Sequence, residues 1–354
     1  MDRRIHLRIG RLKMPFGKQK MCTDNPGCAA RVDLWPHRDY ENELFRIMMN
    51  LLPSLTARKG MRGRQLLSSA FLEYFQNGGL KDASVFAQSR FDSWNNHELA
   101  LEDIARFEVV TLIGTLTSTI RTVTWMLYHI YSTPSILAEL RDEIPAVMST
   151  ASTPQGVPLR SLDITRLRTN CPILGSTFQE VLRWHALGTA VRQVMRDTLL
   201  ENKYLLKKDS MVLMPSVVLH TDPNLWGPDV GAFNHKRFLR QGPSTAKSGT
   251  YKTPSPSAFR GFGGGTTLCP GRHFATTTTM AVTIMFLMRY DVVPVEGRWP
   301  KMTGEKTGVV SAVEQPDHEV EVDVRARKGV EEGEWSFRMD NSDTVFAMAV
   351  EDFE

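Results

Sequence analysis

The chain has 354 residues, 42% of them hydrophobic, enough for one large domain or two ordinary ones with a substantial core. Its 43 basic and 39 acidic residues leave a net charge of +4, a balance that gives no support to a nucleic-acid partner. Four irregularly spaced cysteines, Cys22, Cys28, Cys171 and Cys269, argue against a zinc knuckle and a disulfide-built domain, and no apolar run approaches the roughly 18 residues that span a bilayer.

Residues 1–32 show no hydrophobic period and hold the turn signal Asn25-Pro26-Gly27, so a poorly structured start is expected. The charged opening has no apolar stretch of the kind a signal peptide needs. From Arg58 onward, Leu66, Leu67, Ala70, Phe71, Tyr74 and Phe75 recur at helical steps, and Asn77-Gly78-Gly79 stops the helix they predict. Arg58, Lys59, Arg62 and Arg64 begin it, against the helix dipole, and are expected to face water or acidic neighbours.

The longest helical signal runs over 101–131 after an acidic opening, with Val109, Ile113, Leu116, Ile120, Val123, Leu127 and Ile130 in one stripe. Hydroxyls crowd its middle: Thr111, Thr115, Thr117, Ser118, Thr119, Thr122 and Thr124. Two readings stay open, hydroxyls bonding back to i−4 carbonyls in a buried helix, or a polar notch beside a reactive centre.

Thr133-Pro134 ends that helix and starts another with Ile136, Leu137 and Leu140 inward, closed by Pro145. A loop of Ser, Thr, Pro and Gly is expected over 149–156. Asn170-Cys171-Pro172 opens a helix over about 172–186 with Leu174, Phe178, Val181 and Leu182 on one face and Glu180 and Arg183 at i, i+3, close enough to meet. Tyr204-Leu205-Leu206 and Met211-Val212-Leu213-Met214 then read as a hairpin across Lys207-Lys208-Asp209-Ser210, followed by turn-rich segments at 222–228 and 233–238.

The most pointed stretch is Phe262-Gly263-Gly264-Gly265 followed by Cys269-Pro270-Gly271-Arg272. Glycines let the backbone approach a flat ligand, and a helix N-terminus favours a thiolate; a buried free cysteine beside a flexible loop is the plain alternative. Phe274, Ala281, Val282, Met285, Phe286 and Met288 predict an apolar helix behind it. Val320, Val322 and Val324 alternate with charged residues as a strand, 334–337 is its expected partner, and 339–354 is expected to be a tail.

In this order the features resemble the cytochrome P450 family of heme-thiolate monooxygenases, over roughly residues 58–338. Phe262, Gly265, Cys269 and Gly271 match its Phe-x-x-Gly-x-x-x-Cys-x-Gly loop, here 262–271. Glu180 and Arg183 match its Glu-x-x-Arg helix, and 233–238, with Arg237, the segment that completes that pair. The resemblance implies a mainly α protein with small β-sheets, the cytochrome P450 fold lacking its N-terminal part, with 33–338 a partial catalytic domain. It implies heme b ligated by Cys269, bordered by Phe262, Gly263, Gly265 and Gly271, with Arg192 on a propionate. A thiolate ligand pushes electron density onto the iron and favours O–O cleavage. Glu180, Arg183 and Arg237 would be a structural network bracing the loop from behind.

The 101–131 helix would cross the opposite heme face, which makes Thr117, Ser118 and Thr119 the candidate catalytic residues. Counting back from Trp125, the family's acid falls on Thr117 and its alcohol on Ser118, so the acid is missing. The Thr-Trp spacing and the Cys-Pro-Gly-Arg loop are similar to the branch containing sterol 7-alpha-hydroxylases and prostacyclin synthase, where that pair is also altered, in a fungal-type chain. Thr267, His235 and Asp209 stand where the family usually has a basic residue, a proline and a glycine.

The implied activity inserts one oxygen atom from O2 into a hydrophobic organic molecule, a secondary metabolite, sterol or lipid, with electrons from NADPH through cytochrome P450 reductase. A heme-thiolate isomerase or dehydratase and a truncated non-catalytic remnant or binding protein are the competing readings. The family's membrane anchor and first pocket wall have no counterpart in the sequence, so its endoplasmic-reticulum location is not carried over, and membrane association and a cytoplasmic location both stay open.

Overall fold

The computed structural model describes residues 5–9, 35–239, 256–305, 307–308, 311–330 and 333–339. Cys22, Cys28, the Asn25-Pro26-Gly27 turn, the loop before the glycine-rich stretch and the tail beyond 339 lie outside them. The chain divides into two compact units, one of residues 13–117 and 308–310, the other of 1–12, 118–307 and 311–354.

The smaller unit holds α1 (Trp35–Met48), α2 (Pro53–Thr56), α3 (Arg58–Gln76), α4 (Val85–Asn96) and the first part of α5 (Leu101–Tyr131). α3 is the helix expected from Arg58. α1 buries His37 and Tyr40 rather than an aliphatic stripe, which hides it from a reading by hydrophobic period. α3 meets α1 through glycines: a Cβ at Gly63 would lie 2.3 Å from the Pro36 carbonyl oxygen, and one at Gly60 2.8 Å from Glu43 Cβ. The Gly60 N–H donates to Glu43 Oε2 at 2.7 Å, so α1 supplies the carboxylate that the basic start of α3 lacks. Arg58, Lys59 and Arg62 are exposed. The core of this unit is Tyr40, Leu67 and Val109 with Leu44, Phe71 and Ile113 packed on it; Leu66 and Ala70, expected on the apolar face, face solvent.

The larger unit contains the rest of α5, α6 (Pro134–Glu143), α7 (Leu167–Asn170), α8 (Pro172–His185), α9 (Ser216–His220), α10 (Pro223–Trp226) and α11 (Arg272–Arg289). Its core joins α5, α6, α8 and α11 through Val123, Leu127, Ile130, Leu140, Leu174, Phe178, Val181, Ile284 and Leu287. Glu143 at the end of α6 accepts the N–H groups of Ile173 and Leu174 at 2.7 and 2.9 Å, capping α8, whose own N-cap residue provides no side-chain bond. Among the described residues no helix is long and apolar enough to cross a membrane.

The strands are β1 (Ile5–Ile9), β2 (Met148–Ser152), β3 (Pro158–Asp163), β4 (Thr189–Gln193), β5 (Thr198–Leu200), β6 (Tyr204–Leu206), β7 (Met211–Pro215), β8 (Tyr290–Pro294), β9 (Val320–Ala326) and β10 (Glu334–Arg338). They form sheets in the orders β1-β9-β8, β10-β3-β2, β4-β7 and β5-β6.

Several expectations are corrected here. The start is not all loop, because β1 pairs antiparallel with β9. The 149–156 loop contains β2, which turns back through Gly156 onto β3. The hairpin expected from 204–214 does not form: β6 pairs with β5, and β7 with β4. Asp209 N–H donates to Val194 O at 2.8 Å and Val194 N–H to Ser210 O at 2.9 Å, so the Lys207–Ser210 turn hands the chain from one ribbon to the next. β9 buries Val320, Val322 and Val324 as the alternation predicts, but its partners are β1 and β8, whereas β10 lies parallel to β3. The buried face of α11 is Thr276, Thr279, Met280, Ala281, Thr283, Ile284 and Leu287, so Ala281 lies inward as expected while Phe274 is exposed. On α5 the stripe is interrupted at Ile120, which is exposed.

Candidate functional site

Cys269 lies between the short 3₁₀ turn Gly265–Thr267 and the first residues of α11. Its N–H donates to Phe262 O at 2.9 Å, which closes the loop into a knuckle. Two glycines permit that shape. Gly263 has φ +85° and a Cβ there would lie 3.1 Å from Thr267 O; Gly265 has φ +57°. Gly271 is the N-cap of α11, and a Cβ on it would stand 3.9 Å from Cys269 Sγ. The thiol is free and half-exposed. Cys171, the other described cysteine, is buried, and burial followed by the nearby Glu143 pushes its thiol up to about 12. Cys269 is therefore the described cysteine with the access a metal ligand needs.

Behind the knuckle stands a charged cluster. Glu180, Arg183 and Arg237 are 0%, 2% and 6% exposed. Arg183 donates from Nε and Nη2 to the two Glu180 oxygens at 2.7 and 2.8 Å, and from Nη1 to His220 O at 2.8 Å. Arg237 Nε lies 3.2 Å from both Glu180 oxygens, and Asn234 N–H donates to Oε1 at 2.9 Å. The outer edge of the Arg237 guanidinium pairs with Asp229 at 3.0 and 3.1 Å and with the carbonyls of Trp226, Asp229 and Ala232. Two carboxylates then face two guanidinium groups with their donors and acceptors used, the condition under which buried ions are tolerated. Hydrogen bonds from Arg237 hold the Asp229 carboxyl below its usual range. Asp229 escapes sequence reading because a lone aspartate in a turn carries no periodic signal; its one clue is the spacing of eight residues to Arg237.

The cluster reaches the cysteine loop through His220. Its Nε2 accepts the Arg260 N–H at 2.9 Å, and its ring lies 5.7 Å from Phe259, stacked. Burial, then the charge of Arg183, lowers His220 to about 4, so it stays a neutral acceptor. A Cβ at Gly261 would lie 3.0 Å from Leu182 Cβ, which brings the loop onto α8 beside Arg183.

Arg192, on β4, donates from Nη2 to Thr267 Oγ1 at 3.0 Å, and Thr267 donates on to Gly264 O at 3.2 Å. The cation thus reaches the position two before the cysteine, where Thr267 replaces the usual basic residue. Asp209 has φ +64°, a left-handed conformation that explains the usual glycine there and that Asp tolerates better than most residues. His235, in place of the usual proline, donates from Nε2 to Glu139 Oε2 at 2.8 Å.

On α5 the hydroxyls divide. Thr111, Thr115, Thr122 and Thr124 bond back to the i−4 carbonyls at 3.2, 2.9, 2.8 and 2.9 Å. Thr117, Ser118 and Thr119 make no such bond, and Thr117 Oγ1 is buried with no partner among the described residues. Among the described residues no hydrogen bond joins Ser118 or Thr119 to the cysteine loop.

The donor set fits a heme iron on the observations above: an accessible free thiol, a loop whose glycines keep Cβ atoms away from it, and a cation beside the loop for an acidic edge. Comparison with known proteins points the same way. The family profile Cytochrome P450 matches residues 50–320. The chain is 36% identical over 316 residues to the cytochrome P450 monooxygenase nodJ of Hypoxylon pulicicidum, covering 88% of this chain and 61% of that one. It is 26% identical over 320 residues to a cytochrome P450 monooxygenase of Gibberella zeae, covering 86% and 59%. It is 24% identical over 213 residues to cholesterol 7-alpha-monooxygenase of Cricetulus griseus, covering 58% and 42%. The chain thus spans about three fifths of the length of the two fungal relatives. With the cysteine knuckle, the braced Glu-x-x-Arg helix and a profile match over most of its length, the chain belongs to the cytochrome P450 family.

Proposed function

We propose that the chain carries the cysteine-bearing part of a heme-thiolate monooxygenase that inserts one oxygen atom from O2 into a hydrophobic small molecule. The observation that carries this reading is Cys269: a free, accessible thiol in a knuckle closed by its own N–H and backed by a buried, charge-balanced brace. Heme b bound there would supply O2 activation.

The chain's own residues have distinct roles in this reading. Cys269 would supply the thiolate that holds the heme iron. Glu180, Arg183, Arg237 and Asp229 are positioning residues that hold the loop rigid. Arg192, which donates to Thr267, would hold a carboxylate of the heme. Thr117, Ser118 and Thr119 are the hydroxyls left to hold water and pass protons, since no acid stands at Thr117. Electrons from NADPH would arrive through a cytochrome P450 reductase. The similarity to fungal cytochrome P450 monooxygenases supports monooxygenation, and a secondary metabolite, sterol or lipid is the substrate class the resemblance implies. The acid missing at Thr117 favours one second reading, a heme-thiolate isomerase or dehydratase that turns over a peroxide without an electron donor.

The purified chain, reconstituted with heme, reduced and exposed to carbon monoxide, is expected to show the absorption diagnostic of thiolate ligation. Cys269→Ala should abolish that band while circular dichroism stays unchanged. Heme bound equally well by the folded Cys269→Ala chain would sink the assignment.

A further inference from the structure

His129 of α5, His185 at the end of α8 and Glu314 form a continuous chain, buried at His185 and half-buried at its two ends, that the charged brace does not use. Glu314 Oε2 lies 2.7 Å from His185 Nδ1, and His185 Nε2 lies 2.9 Å from His129 Nε2. The rings are locked: His185 stacks on Trp125 at 3.8 Å and 11°, and His129 on Phe233 at 3.8 Å and 2°. Side-chain exposure is 3% at His185 and 24% at Glu314, so the carboxyl is the wet end.

The same residues pin segment 311–315. Glu314 N–H donates to His185 O and Leu187 N–H to Ala312 O, both at 2.9 Å, and Trp125 Nε1 donates to Glu314 O at 2.9 Å. Arg121, one turn earlier on α5, reaches Ser311 Oγ at 2.7 Å, Val313 O at 3.1 Å and Gln315 Oε1 at 3.3 Å.

We propose that Glu314, His185 and His129 are a proton-operated clamp, in which net uptake of one proton, relayed along the chain so that Glu314 ends protonated, reverses the chain and tightens the hold of segment 311–315 on α5 and on the end of α8. Two facing ring nitrogens can share one hydrogen only if the other is bare. With Glu314 ionised, His185 Nδ1–H donates to it, His129 Nε2–H donates to His185 Nε2, and His129 Nδ1 is bare. With Glu314 protonated, its O–H donates to His185 Nδ1, His185 Nε2–H donates to His129 Nε2, and the added proton resides on His129 Nδ1. No other atom changes its proton count.

Both histidines resist charging, His185 through burial and then Arg183, His129 through burial and then His185. Glu314 is the group that titrates: burial, then the charge of Asp317, raises it to about 7. Arg183 on α8 acts on His185, Asp317 beyond segment 311–315 acts on Glu314, and Arg121 on α5 holds the segment itself. Only the ionised form keeps a carboxylate half-buried beside Asp317, so opening the segment, which rehydrates it, is favoured at high pH.

Hydrogen exchange of the Leu187 and Glu314 amides in the full chain tests this. After correction for intrinsic rates, protection is expected to fall about tenfold from pH 6 to pH 8, the linkage expected when a carboxyl returns from about 7 to its ordinary range on opening. Glu314→Gln, whose amide can donate to His185 Nδ1, should flatten that slope. If the variant does not fold, nitrogen-15 spectra of the wild-type histidine rings decide, because the tautomers of His129 and His185 should exchange together near pH 7. A wild-type slope shared by folded Glu314→Gln, protection constant across the range, or tautomers that do not change would each overturn the clamp.

Discussion

Glu180 serves two guanidinium groups at once, so removing it tests the brace most directly. Glu180→Ala leaves Arg183 and Arg237 buried and facing each other and should cost about 3 to 5 kcal/mol. Urea unfolding followed by circular dichroism measures it, and a stability equal to wild type would mean the brace is ornamental. Asp229→Asn should cost less, because Asp229 is part-exposed and Arg237 keeps Glu180 and three carbonyl partners. The two described cysteines give a second residue-scale outcome. Iodoacetamide on the heme-free chain should label Cys269 and spare buried Cys171, as read by peptide mass mapping. At this scale the sequence was most legible where partners are close in the chain or bound to a dense motif. Glu180 and Arg183 are three apart and Cys269 sits among glycines, whereas Asp229 became visible only through its contact with Arg237.

Among the elements, α3 depends on having no side chain where it crosses α1. Gly63→Ala would drive a methyl into the Pro36 carbonyl and should cost about 1 to 3 kcal/mol through forced separation of the helices. Thermal unfolding of the variant, compared with Gly114→Ala at an open site on α5, isolates that clash from the change in helix propensity. Helices with an aliphatic stripe, α5 and α8, could be bounded from sequence because the period is local. Strand pairing could not: β6 and β7 are adjacent in sequence, yet each pairs backward, with β5 and β4, so that the two ribbons lie end to end. β9 was legible as a strand and its partners were not, since β1 is more than three hundred residues away and too short to show a period.

The whole molecule carries opposed pH dependences. His129, His185 and His220 are all held below their ordinary range by burial, His220 to about 4. A histidine lowered in the fold contributes stability that is complete above about pH 6.5 and is lost as pH falls toward its folded value. Glu314, raised to about 7, acts in the opposite sense: its contribution is complete below the ordinary carboxyl range and is lost as pH rises through 7. Because three histidines outweigh one carboxyl, these groups are expected to make melting temperature rise from pH 5 and level off above about pH 7, with Glu314 blunting the rise. Differential scanning calorimetry from pH 5 to 8.5 checks this: the rise should be steeper in Glu314→Gln, and an equal rise in the folded variant would contradict the Glu314 contribution. The threonine face of α11 bears on the same total from another direction. Thr276 and Thr283 each bury a hydroxyl that finds no partner among the described residues. Valine keeps their shape and drops that hydroxyl, so Thr276→Val and Thr283→Val are each expected to stabilise the chain by about 1 kcal/mol, seen as a higher urea midpoint. The helix that follows the cysteine thus holds an untapped reserve for directed evolution, one that can be drawn on without altering a residue of the loop it supports.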